Sequence, residues 1–215
     1  MRIISELNGF LYGLAEASDM DDMAGLLAEV FSRFEPMTLA AGMPYREVHD
    51  LVMLFGSQAV ADGLSVIARP GPGGSLVGAT LVRDFANLLP DGLDQAAPHF
   101  GPVGCLLDGL DDRYRETTSV LSGQIMHLFM GGVYPGYGGR GIAQNMLELL
   151  LQNGTGKGYR LAVTEATGRV SQHILHNHGF VERFRTGYLE FVHDGTRVFE
   201  SIPEEEACIL MERVL

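Results

Sequence analysis

Cysteine is scarce in this sequence: Cys105 and Cys208 are the only two in 215 residues. They stand far apart, without the short spacing of metal-binding pairs, which excludes a disulfide framework or a zinc site and leaves two free thiols. No run approaches the roughly 18 uninterrupted apolar residues of a membrane helix. Glu6 also falls where a secretion signal would be apolar, so a cytoplasmic protein with no membrane partner is expected. Positive charge is in short supply too. Lys and Arg number 15 against 27 Asp and Glu, and a formal charge of −12 would repel a phosphate backbone, which argues against a nucleic-acid partner. The same field mildly favours cationic substrates such as amines. Internal repeats and low-complexity tracts are absent, which excludes solenoids and arrays.

What is present is a chain with 46% hydrophobic and 20% charged residues, long enough to bury one core, so residues 1–215 read as a single domain. Ser18 and Asp19 look like cap positions for an amphipathic helix with Leu26, Leu27, Val30, Phe31 and Phe34 on one face. Pro36 should stop it at Glu35, and Pro44 opens a second helix through Val48, Leu51, Val52 and Phe55. Apolar runs 64–68 and 76–82 read as a hairpin, and the Pro-, Gly- and Asp-rich stretch 87–104 as a surface loop or lid. Residues 125–133 form a buried-strand pattern, 142–151 an amphipathic helix ended by Asn153 and Gly154, and 159–164 a second strand, together a parallel crossover. A short helix over 171–177 and strands over 180–188, 197–199 and 208–215 follow. The fold class is therefore mixed α and β, with hairpins at both ends around one parallel crossover. Strand pairing or exchange at the C-terminal hairpin offers a route to a homodimer.

The densest chemical signal is the run from Val133 to Ala143, VYPGYGGRGIA, a glycine-rich turn between an apolar strand and an apolar helix. Glycines let backbone approach a ligand closely, and free N–H groups at a helix start bind anions. Arg140 could add a cation. Gly136, Gly138 and Gly141 also satisfy the dinucleotide pattern, with Glu165 near the ribose-binding place. That turn comes too late in the chain for a doubly wound sheet to follow it. The run GTGKG at 154–158 is not a phosphate loop, since Gly158 replaces the Ser or Thr and Leu151 the first glycine.

From here the sequence resembles the GNAT superfamily of N-acetyltransferases. Their signature places a Gln or Arg, a central glycine and a final Gly or Ala at the start of a helix, positions held here by Gly138, Gly141 and Ala143. Gly138 departs from the pattern. The resemblance extends through the run from Glu165 to Ser171 and the Gly179-Phe180 pair, and the Phe34-Glu35-Pro36-Met37 stretch looks like the arylalkylamine branch. It implies a mostly antiparallel central sheet with a parallel strand-helix-strand crossover at its middle and helices on both faces. It also implies acetyl-CoA as acyl donor, held by Gly131 and Val133 along the pantetheine arm. Gly138, Gly139, Arg140, Gly141, Ile142 and Ala143 would cradle the pyrophosphate.

Acyl transfer to an amine needs a neutral nitrogen, so an ammonium with a pKa of about 10 must first lose a proton. His127, on the strand before the turn, is one candidate base, the alternative being a core histidine. Glu35 is the other. A carboxylate at a helix C-terminus faces the negative end of the dipole, and a residue set against a local rule points to function. The family's usual acid, a Tyr four residues before the Gly-Phe pair, is here Leu175, and Ser171 is the substitute, or else a helix cap. His173, His176 and His178 lack Cys or carboxylate partners at ligand spacing, so no metal is expected. Loss of the usual acid keeps open a domain that binds acyl-CoA without turnover.

Overall fold

The computed structural model describes residues 1–203 and 206–215. In chain order the elements are β1 (Arg2–Leu7), β2 (Phe10–Leu14), α1 (Met20–Phe34), α2 (Pro36–Ala40), α3 (Tyr45–Asp62), β3 (Val66–Arg69), β4 (Gly78–Asp84), α4 (Leu93–Ala96) and α5 (Gly101–Thr117). The second half comprises β5 (Ile125–Val133), α6 (Ile142–Gly156), β6 (Leu161–Ala166), α7 (Arg169–Asn177), β7 (Val181–Gly187) and β8 (Ala207–Val214). The described strands form one sheet in the order β1-β2-β3-β4-β5-β6-β8-β7. Every neighbouring pair is antiparallel except β5 and β6.

Two cores flank the sheet. On one face α1, α2, α3 and α5 bury Leu27, Met37, Val52, Phe55, Leu110 and Tyr114 against Ile67, Leu81 and Val163. On the other, α6 and α7 bury Met146, Leu150 and Leu175 against Tyr12, Val66, Val82 and Met126. Alternation along the strands delivers these side chains to opposite faces, so the expected helices on both sides follow from the pleat.

Several boundaries differ from the sequence expectation. The start of the chain is a hairpin, with Asn8 and Gly9 at φ 54° and 79° in its turn. Much of the expected loop at 87–104 gives way to α4, a single turn of 3-10 helix at Pro98–Phe100 and the beginning of α5. Residues 197–199 form no strand; only an isolated bridge joins His193 to Thr196 nearby. Asn153 and Gly154 do not end α6, which runs on to Gly156.

Gly154 sits in that helix for a packing reason. A Cβ built on it would lie 2.4 Å from Met126 Sδ, and Met126 is fully buried on β5. Glycine lets α6 lie flat against the strand. Replacing a mid-helix Gly by Ala ordinarily gains about 1 kcal/mol of helix propensity. Here overpacking of about 1–3 kcal/mol should outweigh that gain. Gly154→Ala is therefore expected to lower the urea midpoint, and a raised midpoint would contradict the contact.

Candidate active site

The site is made by two parallel strands that part. β5 and β6 pair only at Ile125, Met126 and His127, opposite Leu161, Ala162 and Val163. Beyond this point β5 stays bonded to β4 as far as Val133, while β6 stays bonded to β8 as far as Ala166. Thr164 Oγ1 donates to Leu128 O at 2.8 Å where the strands diverge. A register shift in the β4–β5 ladder sets Leu81 opposite Met130 and Val82 opposite Leu128, so Phe129 is bulged from the ladder beside the cleft. Bulges gather next to active sites because they re-aim a side chain and end pairing. Gly131, although in the middle of a central strand, is exposed, since no strand covers its cleft-facing edge.

At the far end of the cleft the glycine-rich turn enters α6. The turn begins as a 3-10 segment, Pro135–Tyr137, and Gly138 N–H donates to Pro135 O at 3.1 Å. That N–H is spent, so the expected cradle begins one residue later, at Gly139. Gly139 and Gly141 lie at φ 72° and 77°, the left-handed region. Gly141 is the N-cap, and the first helical bond runs from Asn145 N–H to Gly141 O at 2.9 Å. The N–H groups of Ile142, Ala143 and Gln144 are thus the orphan donors of a helix start, where the dipole also favours an anion. Cβ atoms built on Gly136, Gly139 or Gly141 meet nothing within 4 Å, so the space above the turn is open. The Arg140 guanidinium lies 5.2 Å from the Tyr137 ring centroid. These residues fit a pyrophosphate.

The three catalytic candidates fall in different settings. His127 is buried at the apex, with Nε2 2.7 Å from Glu165 Oε2 and its ring edge-on to Phe85 and Phe129. Burial pushes its pKa down to about 4, so the imidazole is neutral near pH 7. Glu35 is half-buried and does not oppose a helix dipole in the way its sequence position implied. Its extended backbone ends α1 and begins α2, and its carboxylate accepts from Met37 N–H at 3.1 Å and Thr38 N–H at 2.6 Å. The charge faces the positive end of the second helix, which explains a carboxylate there in local terms. The adjoining Pro36 ring lies 3.9 Å from a Cβ built on Gly168, so Glu35 stands where α2 meets the start of α7. Ser171 Oγ donates to Gly168 O at 2.7 Å, a cap contact within α7. Leu175 is buried in the core beneath α7.

Sequence reading missed Asp111 and Arg115 of α5, because the helix carrying them was hidden in Pro, Gly and Asp. Asp111 faces Glu165, and Arg115 donates to Phe85 O at 2.8 Å. Among the flanking histidines, His173 Nε2 is 2.9 Å from Asn177 Nδ2 and His178 Nδ1 donates to Ile174 O at 2.7 Å. Cys105 is exposed and Cys208 buried, both as free thiols. No helix of the described residues is long and apolar enough to cross a membrane.

No protein-family model matches the chain. A search of curated proteins likewise finds no match. Solved structures do match. The C-terminal condensation domain of Ebony, in complex with beta-alanyl-dopamine, superposes with a TM-score of 0.88 at 17% identity, over 96% of this chain and 99% of that one. Arylalkylamine N-acetyltransferase 2 from Aedes aegypti gives 0.78 at 19% identity, over 95% and 98%. A Drosophila melanogaster polyamine N-acetyltransferase that forms N-acetylagmatine gives 0.74 at 18% identity, over 96% and 100%. With its eight-stranded sheet, single parallel pair and glycine-rich turn at the start of α6, the chain has the GNAT fold, in the form found in arylalkylamine and polyamine N-acetyltransferases.

Proposed function

We propose that the chain transfers an acyl group from acyl-CoA, acetyl-CoA in the simplest case, to a primary amine by direct attack in a ternary complex. The supporting observation is the parting of β5 from β6 with an open, left-handed glycine turn at its end, which offers a thioester arm a strand edge and a diphosphate a ring of N–H donors. Gly131 and Val133 would line the arm, and Gly139 to Ala143 the diphosphate. Backbone N–H groups at the cleft would also stabilise the oxyanion that develops on the attacked carbonyl. Glu35 would hold the incoming ammonium, and neutral His127 would take its proton. The two free thiols accord with a cytoplasmic setting.

The acyl group is either acetyl, as in the N-acetyltransferases of this fold, or a larger one such as the β-alanyl group of the amide bound to the Ebony domain. One observation favours a second reading, binding without turnover. Leu175 is buried and Ser171 is bonded to Gly168 O, so among the described residues neither supplies a dedicated acid for the departing thiolate, and its proton would come from the adduct's own nitrogen, directly or through water. Calorimetric titration with acetyl-CoA, with NAD as control, followed by turnover on a panel of aromatic and aliphatic amines separates the readings. Binding with no turnover on any amine would favour a sensor, and binding of NAD alone would overturn both.

Glu35→Gln tests the acceptor side. The amide oxygen can still accept from an α2 N–H, so the helix start survives, but the charge that draws an ammonium is gone. Turnover is expected to fall by about 100-fold, with acetyl-CoA affinity unchanged. An unaltered kcat/KM across pH would remove Glu35 from the mechanism.

A further inference from the structure

Behind the apex of the cleft, one face of the sheet and α5 enclose a group of ionisable side chains. Arg83 comes from β4, Asp108, Asp111 and Arg115 from α5, His127 from β5, Glu165 from β6 and the neutral thiol Cys208 from β8. The His127 and Glu165 side chains are only 7% and 3% exposed and stand in contact at 2.7 Å. Asp111 lies within hydrogen-bonding reach of Glu165. Asp111 Oδ1 and Glu165 Oε1 are both buried, and neither has a donor among the described residues. Two adjoining carboxylates with orphaned oxygens repel one another when both are charged. A single proton between them turns one into a donor and satisfies both. The remaining negative charge then stands against Arg83 and Arg115, a balance that burial of two bare carboxylates would not allow.

We propose that Asp111 and Glu165 share one proton and act through His127 as the base of the acyl transfer, with Glu165 receiving the Nε2 proton when Nδ1 takes a proton from the ammonium. This rests on the acyltransferase reading. In the step, an ammonium N–H bond breaks and an Nδ1–H bond forms, directly or through one water. The Nε2–H bond breaks and an O–H bond forms on Glu165. The imidazole ends neutral, as its other tautomer, and the carboxyl pair holds two protons. The freed amine attacks the thioester carbonyl, and the adduct's second N–H proton goes to the departing thiolate. After release of amide and thiol, the stored proton returns through His127 to water.

The arrangement resolves a mismatch in base strength. Burial leaves His127 with a pKa of about 4, too weak to hold a proton taken from an amine near neutrality. Burial raises Glu165 to about 7 and Asp111 to about 8, where a proton acceptor is useful. Asp111 and Glu165 touch no substrate; they are positioning residues, and the imidazole is the carrier.

Infrared spectroscopy of the substrate-free wild-type protein tests the shared proton without any turnover. A carboxylic-acid C=O band should persist at neutral pH and vanish only as pH rises past about 8. Nitrogen NMR should find His127 neutral, with its proton on Nε2, well below its usual titration range. Asp111→Asn supplies a permanent N–H to Glu165, so the infrared band should be lost. Without a neighbouring acid the base ionises more readily, and the acid limb of kcat/KM should move to lower pH by at least about one unit. Thermal stability gives an independent reading. Carboxyls with raised pKa values bind more protons folded than unfolded, so their contribution is lost as pH rises from about 4 through about 8, and above about pH 7.5 His127 is neutral in both states and leaves the carboxyl slope unopposed. Tm should fall between about pH 7.5 and 8.5 in the wild type and fall less in Asp111→Asn. Absence of the acid band in the wild-type protein, or an unmoved pH profile in a variant that is merely slower, would overturn the proposal. Failure to acylate any amine, with the band present, would count against the acyltransferase reading alone.

Discussion

Gly141→Val is expected to lower acetyl-CoA affinity by at least about 100-fold while leaving the domain folded. Gly141 holds φ 77° as the N-cap of α6. A side chain there costs about 1–2 kcal/mol in the left-handed region, and more for a β-branched residue. The backbone can escape that strain only by rotating, and rotation turns the N–H groups of Ile142 and Ala143 away from a common centre. The new side chain itself would project into the space above the turn, where a built Cβ meets no atom within 4 Å. Because that space is open, the cost falls on the ligand rather than on packing, and Ile142 and Met146 remain buried below. Calorimetry with acetyl-CoA and a thermal melt on the same sample give both halves of the expectation. Undiminished affinity would remove the turn from the donor site. Gly138→Gln provides the contrast. Gly138 sits at φ −58°, ordinary for any residue, and a Cβ there would stand 3.4 Å from Pro135 O, so the family's longer side chain should fit and tighten binding, not abolish it.

The contrast between these glycines shows what sequence could and could not reveal. The crossover from β5 through α6 to β6 was legible because periodicity changes from strand to helix at a glycine cluster, a signal local to some 40 residues. The hairpin at the start was equally local, since Asn8-Gly9 is the strongest short hairpin signal. It was missed because β2 is buried on both faces and shows no alternation. α5 was hidden by its composition. Gly101, Pro102, Gly104, Gly109 and three aspartates mask the helical pattern, although Val103, Leu106, Leu110 and Tyr114 recur on one helical face and are the residues it buries. With α5 masked, Asp111 goes unseen and His127 reads as a lone imidazole, although it stands against a carboxyl pair assembled from a helix and a strand distant in sequence. Glu35 erred in the opposite direction. Its local oddity at the end of α1 was real, but the next helix, which it caps, was not foreseen, because five residues are too few for a periodic pattern. Local signals are enough to find the glycine-rich turn; the proposed acid-base chemistry depends on contacts between elements, which spacing along the chain does not encode.

Arg183→Met is expected to destabilise the fold by about 1–3 kcal/mol, since Glu212 is buried but the guanidinium is part-exposed and water can replace it in part. Glu212 of β8 is buried, and its two oxygens accept from Arg183 at 2.5 Å and from the Tyr114 hydroxyl at 2.5 Å. Tyr114 is fully buried on α5 and stacks edge-on against Phe85 at 5.7 Å, so this carboxylate ties the helix to the far edge of the sheet. Removing the guanidinium leaves a desolvated charge with one neutral donor. Methionine keeps an unbranched aliphatic stem of similar reach, so the loss isolates the charge from the bulk of the side chain. In the double variant Arg183→Met, Glu212→Gln, the amide still accepts from Tyr114 and no charge remains, so most of the lost stability should return. Urea unfolding at constant m-value measures both. If the single and double variants unfold at the same midpoint, the ion pair contributes packing alone. In that case α5 is held by its apolar face, and the placement of Asp111 behind His127 rests on Val103, Leu106 and Leu110 and not on Glu212.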